Sequence, residues 1–245
     1  MATPRLYCPI QLAHRVQATL PDAAAHHAVR VLRLKRGDEV RLFNGEGGEF
    51  EASIHLVAKD AVIVDIGRYH NVERESPLKV CLAQSVTTGE KMDYTLQKAV
   101  ELGVARIQPL QTQRSVVRLD QERADKRRRH WHNVVISACE QCGRNTVPDV
   151  AAIISLEEWV ATTVAGQMRL MLSPAAEKTL REFSAPVAQV SLLVGPEGGF
   201  SKDEVYFAVA KGFQSARLGP RVLRTETAPL AALAAMQMLW GDFVA

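Results

Sequence analysis

The chain has 245 residues, 47% of them hydrophobic, and its 30 Lys plus Arg against 27 Asp plus Glu leave a formal net charge of +3. That length suits one or two packed domains, and so small a charge excludes a protein that coats nucleic acid with its whole surface, so any such footprint must be local. No run of about 18 uninterrupted apolar residues offers a membrane-spanning helix, and Met1-Ala2-Thr3-Pro4-Arg5 lacks the apolar centre of a signal peptide, so a cytoplasmic protein that does not enter a membrane is expected.

Asp22 to Leu34 reads as a helix carrying His26, His27, Arg30 and Arg33 on its outer face. Glu39–Phe43 and Glu49–Ile54 alternate apolar and polar residues on either side of Asn44-Gly45-Glu46-Gly47-Gly48, the pattern of a hairpin. A further strand, Ala61–Ile66, ends at Gly67. These elements predict a small, mostly β domain over residues 1–72. The polar stretch Arg68–Pro77 has no apolar period and reads as a linker.

From residue 73 to 245 strands alternate with helices. Leu78–Ala83 is a buried strand, Met92–Leu102 a helix stopped by Gly103, and Val104–Pro109 a second strand. A helix over 120–141 carries Lys126-Arg127-Arg128-Arg129, and strands follow at Met168–Leu172, Val190–Val194 and Ser215–Leu218. Strands separated by helices predict an α/β domain with a parallel sheet. Ligands of such sheets sit at the carboxyl ends of the strands, which directs attention to the loops after Leu172, Val194 and Leu218.

Cys8, Cys81, Cys139 and Cys142 are too few and scattered for a disulfide framework. Cys139-x-x-Cys142, with His130 and His132 upstream, lacks the second ligand pair of a structural zinc site, so no metal is expected; the two thiols fall on successive turns of a helix.

The loop after Val194 reads Gly195-Pro196-Glu197-Gly198-Gly199-Phe200, and Ser201-Lys202-Asp203-Glu204 then forms a capping box opening a helix. Glycines let peptide groups approach a ligand closely, which suits a nucleoside cofactor. The spacing is neither that of a phosphate-binding loop nor that of a dinucleotide fold. A tight strand-to-helix turn would account for the glycines equally well. The loop after Leu218, Gly219-Pro220-Arg221-Val222-Leu223-Arg224-Thr225-Glu226-Thr227-Ala228-Pro229, leads into the apolar helix Leu230–Trp240.

Together these loops resemble the G-P-E-G-G-[FL] and L-G-x-x-[IV]-L-R-[TA]-E-T-A motifs of the ribosomal RNA small-subunit methyltransferase E family. Lys91 with Gln97-Lys98-Ala99-Val100-Glu101-Leu102-Gly103, and Glu140-Gln141-Cys142-Gly143-Arg144 with Val147-Pro148, are similar to two further segments of that family. The resemblance implies a C-terminal SPOUT domain whose parallel sheet carries a deep trefoil knot, preceded by a PUA-like RNA-binding β-barrel. It also implies a homodimer, and transfer of a methyl group from S-adenosyl-L-methionine to N3 of a uridine, uracil 1498 of 16S ribosomal RNA, in the small ribosomal subunit. By the same resemblance the cofactor is held by Leu172, Ser173, Val194, Gly195, Pro196, Glu197, Gly198, Leu218, Gly219, Leu223, Arg224, Thr225, Thr227 and Ala228.

A uracil N3–H must lose its proton for the nitrogen to attack, so a base or a cation that stabilises the anion is needed. Glu226 is the candidate acceptor and Arg224 the candidate cation, unless the two pair with each other to hold the loop. RNA phosphates require Arg and Lys on a common face; the candidates are Arg5, Arg30, Arg33, Lys91, Lys98, Arg114, Arg118, Arg127 and Arg144. A SPOUT enzyme acting on another base or a ribose 2'-hydroxyl would share the cofactor loops. A ribosome-assembly factor without catalysis would bind RNA alone.

Overall fold

The computed structural model describes residues 3–162, 166–186 and 189–243; Met1 and Ala2 of the N-terminal stretch lie outside them. The chain divides into two compact units, residues 1–75 with 136–147 and residues 76–135 with 148–245.

The first unit holds β1 (Arg5–Tyr7), β2 (Gln17–Thr19), α1 (Asp22–His26), β3 (Glu39–Phe43), β4 (Glu49–Val57) and β5 (Val62–His70), with the strands in the order β1-β3-β4-β5-β2. Gly45, Gly47 and Gly48 all take positive φ in the β3–β4 turn, which explains the glycine-rich connection. The strand expected to stop at Gly67 runs on to His70, pairing with Glu49 at the far end of β4. Its outer end is polar because it is half-exposed, and that polarity is what made it resemble a linker.

The helix expected from Asp22 to Leu34 is shorter. After His26 the coil widens over His27–Val31, the Leu32 N–H donating to His27 O at 3.0 Å. Arg33, at φ 56°, then turns left-handed, and the Leu34 N–H reaches back to Ala28 O at 2.9 Å. This is a helix terminator usually built on glycine, here made by an arginine. The core of the unit includes Leu6, Cys8, Val40, Leu42, Ile54 and Val64.

The second unit contains β6 (Lys79–Ser85), α2 (Gly89–Glu101), β7 (Arg106–Gln111), the first part of α3 (Gln121–Cys142), β8 (Asp149–Val150), β9 (Ile154–Ser155) and α4 (Leu156–Thr162). β10 (Met168–Leu172), β11 (Gln189–Val194), α5 (Lys202–Ala210), β12 (Gln214–Ala216) and α6 (Thr227–Trp240) follow. The sheet order is β12-β10-β11-β6-β7-β8, with β9 also on β7, and every pairing is parallel. Leu82, Ile107, Leu170, Leu192 and Leu193 are buried within it, as helices on both faces of a parallel sheet require. Gly103 ends α2 at φ 80°, and Ser201 caps α5 with the expected box: the Glu204 N–H donates to Ser201 Oγ at 3.1 Å while Glu204 Oε2 accepts from the Ser201 N–H at 2.7 Å. α6 begins three residues earlier than expected. Trp131 and Trp159 are buried, the latter 5.6 Å from the Phe213 ring. Cys139 is buried and Cys142 half-buried on α3.

Candidate active site

Three loops leave the carboxyl ends of neighbouring strands β11, β10 and β12, and between them lies a cavity of about 610 Å³, within the size range of small-molecule sites. Leu172, Ser173 and Pro174 come from the first loop in chain order, Val194 to Phe200 from the second, and Leu218, Gly219, Arg221 to Thr225 and Ala228 from the third. Every residue expected to hold the cofactor lines this cavity except Thr227, which is exposed on the first turn of α6. Met171, Phe200, Val205 and Ala216 add apolar wall, and Lys91 and Arg114 add charge.

The loops are tied to one another. Thr225 is buried, its hydroxyl donating to Gly195 O at 2.9 Å and accepting from Gln84 Nε2 at 3.4 Å. Oε1 of Gln84, next to last in β6, is buried without a hydrogen bond, as is Oγ of Ser85, which ends the strand. A polar residue at the end of a buried strand was the signal for Gln84, which the sequence reading passed over. Arg114, on the cavity wall, donates to Gly198 O at 3.0 Å and braces the glycine loop.

Glu226 does not face the cavity directly. Its side chain is 18% exposed, and its Oε2 is buried without a hydrogen bond, 3.7 Å from Lys91 Nζ. Lys91, on the first turn of α2, also donates to Glu197 Oε1 at 2.9 Å. That hydrogen bond and the nearby carboxylates raise the Lys91 ammonium above its ordinary value. Burial pushes the Glu197 carboxyl upward, but the Lys91 hydrogen bond, its own backbone N–H and the Lys91 charge outweigh this and hold it low. Arg224 lines the cavity, exposed, and no ion pair joins it to Glu226 among the described residues.

The basic residues expected to meet RNA are divided in their placement. Arg30 and Arg33 are exposed on the first unit, Arg118 is exposed after β7, and Arg127 packs beside Gly89. Lys98 pairs with Glu101 at 2.7 Å. Arg5 and Arg144 are held inside the first unit: Arg5 pairs with Glu49, lies 4.8 Å from the Phe43 ring centre and donates to Asn145 Oδ1 at 2.6 Å, while Arg144, 4% exposed, pairs with Glu75. Their guanidiniums serve the fold, and they leave the RNA-facing set for that reason. No group of three or more His, Cys, Asp or Glu that could hold a metal occurs among the described residues, and no described helix is long and apolar enough to cross a membrane.

Residues 74–237 match the model of an RNA methyltransferase domain, and residues 20–67 that of an RNA methyltransferase PUA domain. The chain is 35% identical to a ribosomal RNA small subunit methyltransferase E of Buchnera aphidicola, covering 98% of this chain and 97% of that one, and 35% identical to the Bacillus subtilis protein of the same name over 89% and 90%. Among solved structures, a methyltransferase from Legionella pneumophila with bound S-adenosylmethionine superposes with a TM-score of 0.96 at 42% identity, covering 99% of this chain and all of that one. A ribosomal RNA small subunit methyltransferase E from Neisseria gonorrhoeae, also bound to S-adenosylmethionine, gives 0.92 at 42% over the same shares. A parallel sheet with its cavity among three carboxyl-end loops, joined to a PUA-like unit and matching these proteins end to end, establishes that the chain belongs to the ribosomal RNA small subunit methyltransferase E family.

Proposed function

We propose that this protein methylates N3 of a uridine in small-subunit ribosomal RNA, uracil 1498 of the 16S molecule, using S-adenosyl-L-methionine. The observation that carries the reading is the single cavity shared by the loops after β10, β11 and β12, with Lys91 and Arg224 on its wall and Glu226 behind Lys91. The residues present fit the cofactor. Leu172, Val194, Leu218 and Leu223 offer apolar surface to a purine, and Gly195, Gly198 and Gly219 line the same cavity with no side chain to block close approach. A Cβ added at Gly219 would meet nothing within 4 Å, but φ 84° reserves the position for glycine. When bound, the cofactor supplies a methyl group carried on a positively charged sulfur.

The chain's own groups do the rest. Glu226 accepts the proton released from N3, and the exposed Arg224 guanidinium balances negative charge on the uracil oxygens. The loop tie from Thr225 to Gly195 fixes the acceptor loop against the cofactor loop, so the two reactants meet in a set orientation. Arg30, Arg33, Arg114, Arg118 and Arg127 supply phosphate contacts, with residues 1–72 acting as the RNA-binding domain and 73–245 as the catalytic one. The trefoil knot and a homodimer accompany the family resemblance, and a cytoplasmic location, expected from the sequence, completes the reading.

The test is methyl transfer from labelled S-adenosylmethionine to small subunits taken from cells lacking the protein, with the modified nucleoside mapped by mass spectrometry. 3-Methyluridine at one position is the expected product. Label on a ribose or another base discards the target, and no label with no cofactor binding discards the chemistry.

A further inference from the structure

Lys91 stands out because two carboxylates from different loops meet on its ammonium. Glu197 belongs to the glycine loop after β11 and accepts a hydrogen bond from Nζ at 2.9 Å; Glu226 belongs to the loop after β12 and brings Oε2 to 3.7 Å. The second contact is electrostatic only, since Oε2 receives no hydrogen bond. Oε2 is nonetheless shut off from solvent, so the carboxylate is turned inward by one oxygen while its side chain keeps 18% of its surface exposed. A buried, unbonded carboxylate oxygen costs free energy unless a charge compensates it, and Lys91 is the cation within ion-pair distance. Arg224 on the same loop also acts on the Lys91 ammonium, in the opposite sense to the two carboxylates, and Arg114 and Arg221 lie on the cavity wall.

The placement of Lys91 follows from local structure. Thr88 precedes α2, and Lys91 sits in its first turn; Met92, Thr95, Leu96, Ala99 and Val100 are buried and anchor the helix. A helix that well anchored offers its first-turn lysine as a fixed point rather than a swinging charge. A lysine near a helix N-terminus is disfavoured by the helix dipole, and here two carboxylates offset that cost.

We propose that Lys91 is a positioning residue for methyl transfer: anchored on Glu197, its ammonium holds Glu226 by Oε2 and leaves the other carboxylate oxygen to take the N3 proton. The inference rests on the proposed role of Glu226. In the step itself the N3–H bond breaks and its proton forms a new O–H bond on Glu226; the electron pair left on nitrogen forms the N–CH3 bond, while the S–CH3 bond of the donor would break with its pair kept by sulfur, which leaves as a neutral thioether. Lys91 gains and loses no proton. It is thereby separated from the RNA-contact role that its charge alone suggests.

A double-mutant cycle on kcat tests this, with cofactor Kd and the salt dependence of RNA binding measured alongside. Glu226→Gln is expected to lower kcat by about 10²- to 10⁴-fold. Lys91→Met should lower it about 10- to 10²-fold, as expected of a misaligned group, while RNA KM and its salt slope hold steady. In the Glu226→Gln background, Lys91→Met should add nothing. Lys91→Arg, which keeps a cation between the two carboxylates, should recover most of the loss. Additive effects in the double variant overturn the proposal, because Lys91 would then act independently of Glu226. A raised RNA KM with a flatter salt slope and unchanged kcat overturns it in favour of a phosphate contact, and a weakened cofactor Kd equal to the kcat loss overturns it in favour of loop scaffolding. If the wild-type protein labels an acceptor other than uracil N3, the functional reading fails separately, and the same cycle read on that acceptor still judges Lys91.

Discussion

At the amino ends of β6, β7 and β11 the parallel sheet encloses a cavity of about 390 Å³, and at the carboxyl ends of β10, β11 and β12 one of about 610 Å³. The two differ in what their polar groups do. At the amino end Gln167 donates to Gln189 Oε1 at 2.9 Å, Ser191 donates to Gln167 Oε1 at 3.0 Å, Gln108 donates to Ala152 O at 2.8 Å, and Arg106 pairs with Asp149 at 3.4 Å. At the carboxyl end Gln84 Oε1, Ser85 Oγ and Glu226 Oε2 are buried without hydrogen bonds. The polar groups named at the amino end bond to one another, whereas these three oxygens, none of which lines the larger cavity itself, do not. Cavity volume alone would not separate them, whereas their linings do: the larger is walled by three loops that bring Gly195, Gly198, Gly219, Lys91 and Arg224 together, the smaller by strand residues bonded to one another.

The largest effect that can break this contrast is at Glu226. Glu226→Gln should reduce kcat by about 10²- to 10⁴-fold and leave cofactor Kd within about twofold, as loss of an interaction made only in the transition state does. Equal losses in both would make Glu226 part of the loop framework, and the carboxyl-end orphan would then have no chemical use. The next effect is at Thr225, whose hydroxyl joins the two loops. Thr225→Val keeps the shape and leaves Gly195 O without its donor, a cost of about 1–3 kcal/mol. A melting temperature lower by several degrees, with cofactor Kd weakened about tenfold, is expected by calorimetry and titration.

A smaller effect belongs to the amino end. Ser191→Ala removes the hydroxyl donated to Gln167 and should cost about 0.5–1.5 kcal/mol of stability with kcat and cofactor Kd unchanged. Ser191 and Val194 share β11, so a shift in cofactor Kd would mean that the two ends communicate along the strand.

The carboxyl-end loops were legible because their chemistry is local: glycines between a strand and a helix, a Ser-x-x-Glu box, and a run of buried-strand residues before each. What was not legible depends on partners distant in sequence. Arg5 and Arg144 read as free basic residues, yet Glu49 and Glu75 claim them. The two-residue strands β8 and β9 are too short to show a period of two, and the exposed Glu157 and Glu158 mask α4 behind a polar start. Residues 136–147 pack with the first unit although they follow one continuous helical pattern, since periodicity records which face is buried and not against what. Glu226 was legible by motif, but its inward oxygen and its neighbour Lys91 emerge only when α2 and the loop after β12 are brought together.

Cys81 offers the finest test of the contrast, because it lines the amino-end cavity and would be the reactive group there if that cavity were a site. Burial pushes its thiol up to about 11, against a smaller opposing pull from Arg106. A thiol is nucleophilic only as thiolate, so at pH 8 about one Cys81 in a thousand would carry the charge, by the ordinary titration relation in which each pH unit is a factor of ten. Cys8 and Cys139, pushed up to about 12, should be slower still. Alkylation of the folded protein with iodoacetamide at pH 8, followed by peptide mass spectrometry, should therefore leave Cys81 largely unmodified over a period that fully labels a free thiol. Rapid, selective modification of Cys81 would show an electropositive, open environment at the amino end. The internally satisfied cavity would then be a second reactive site, and the contrast between the two ends of the sheet would be lost.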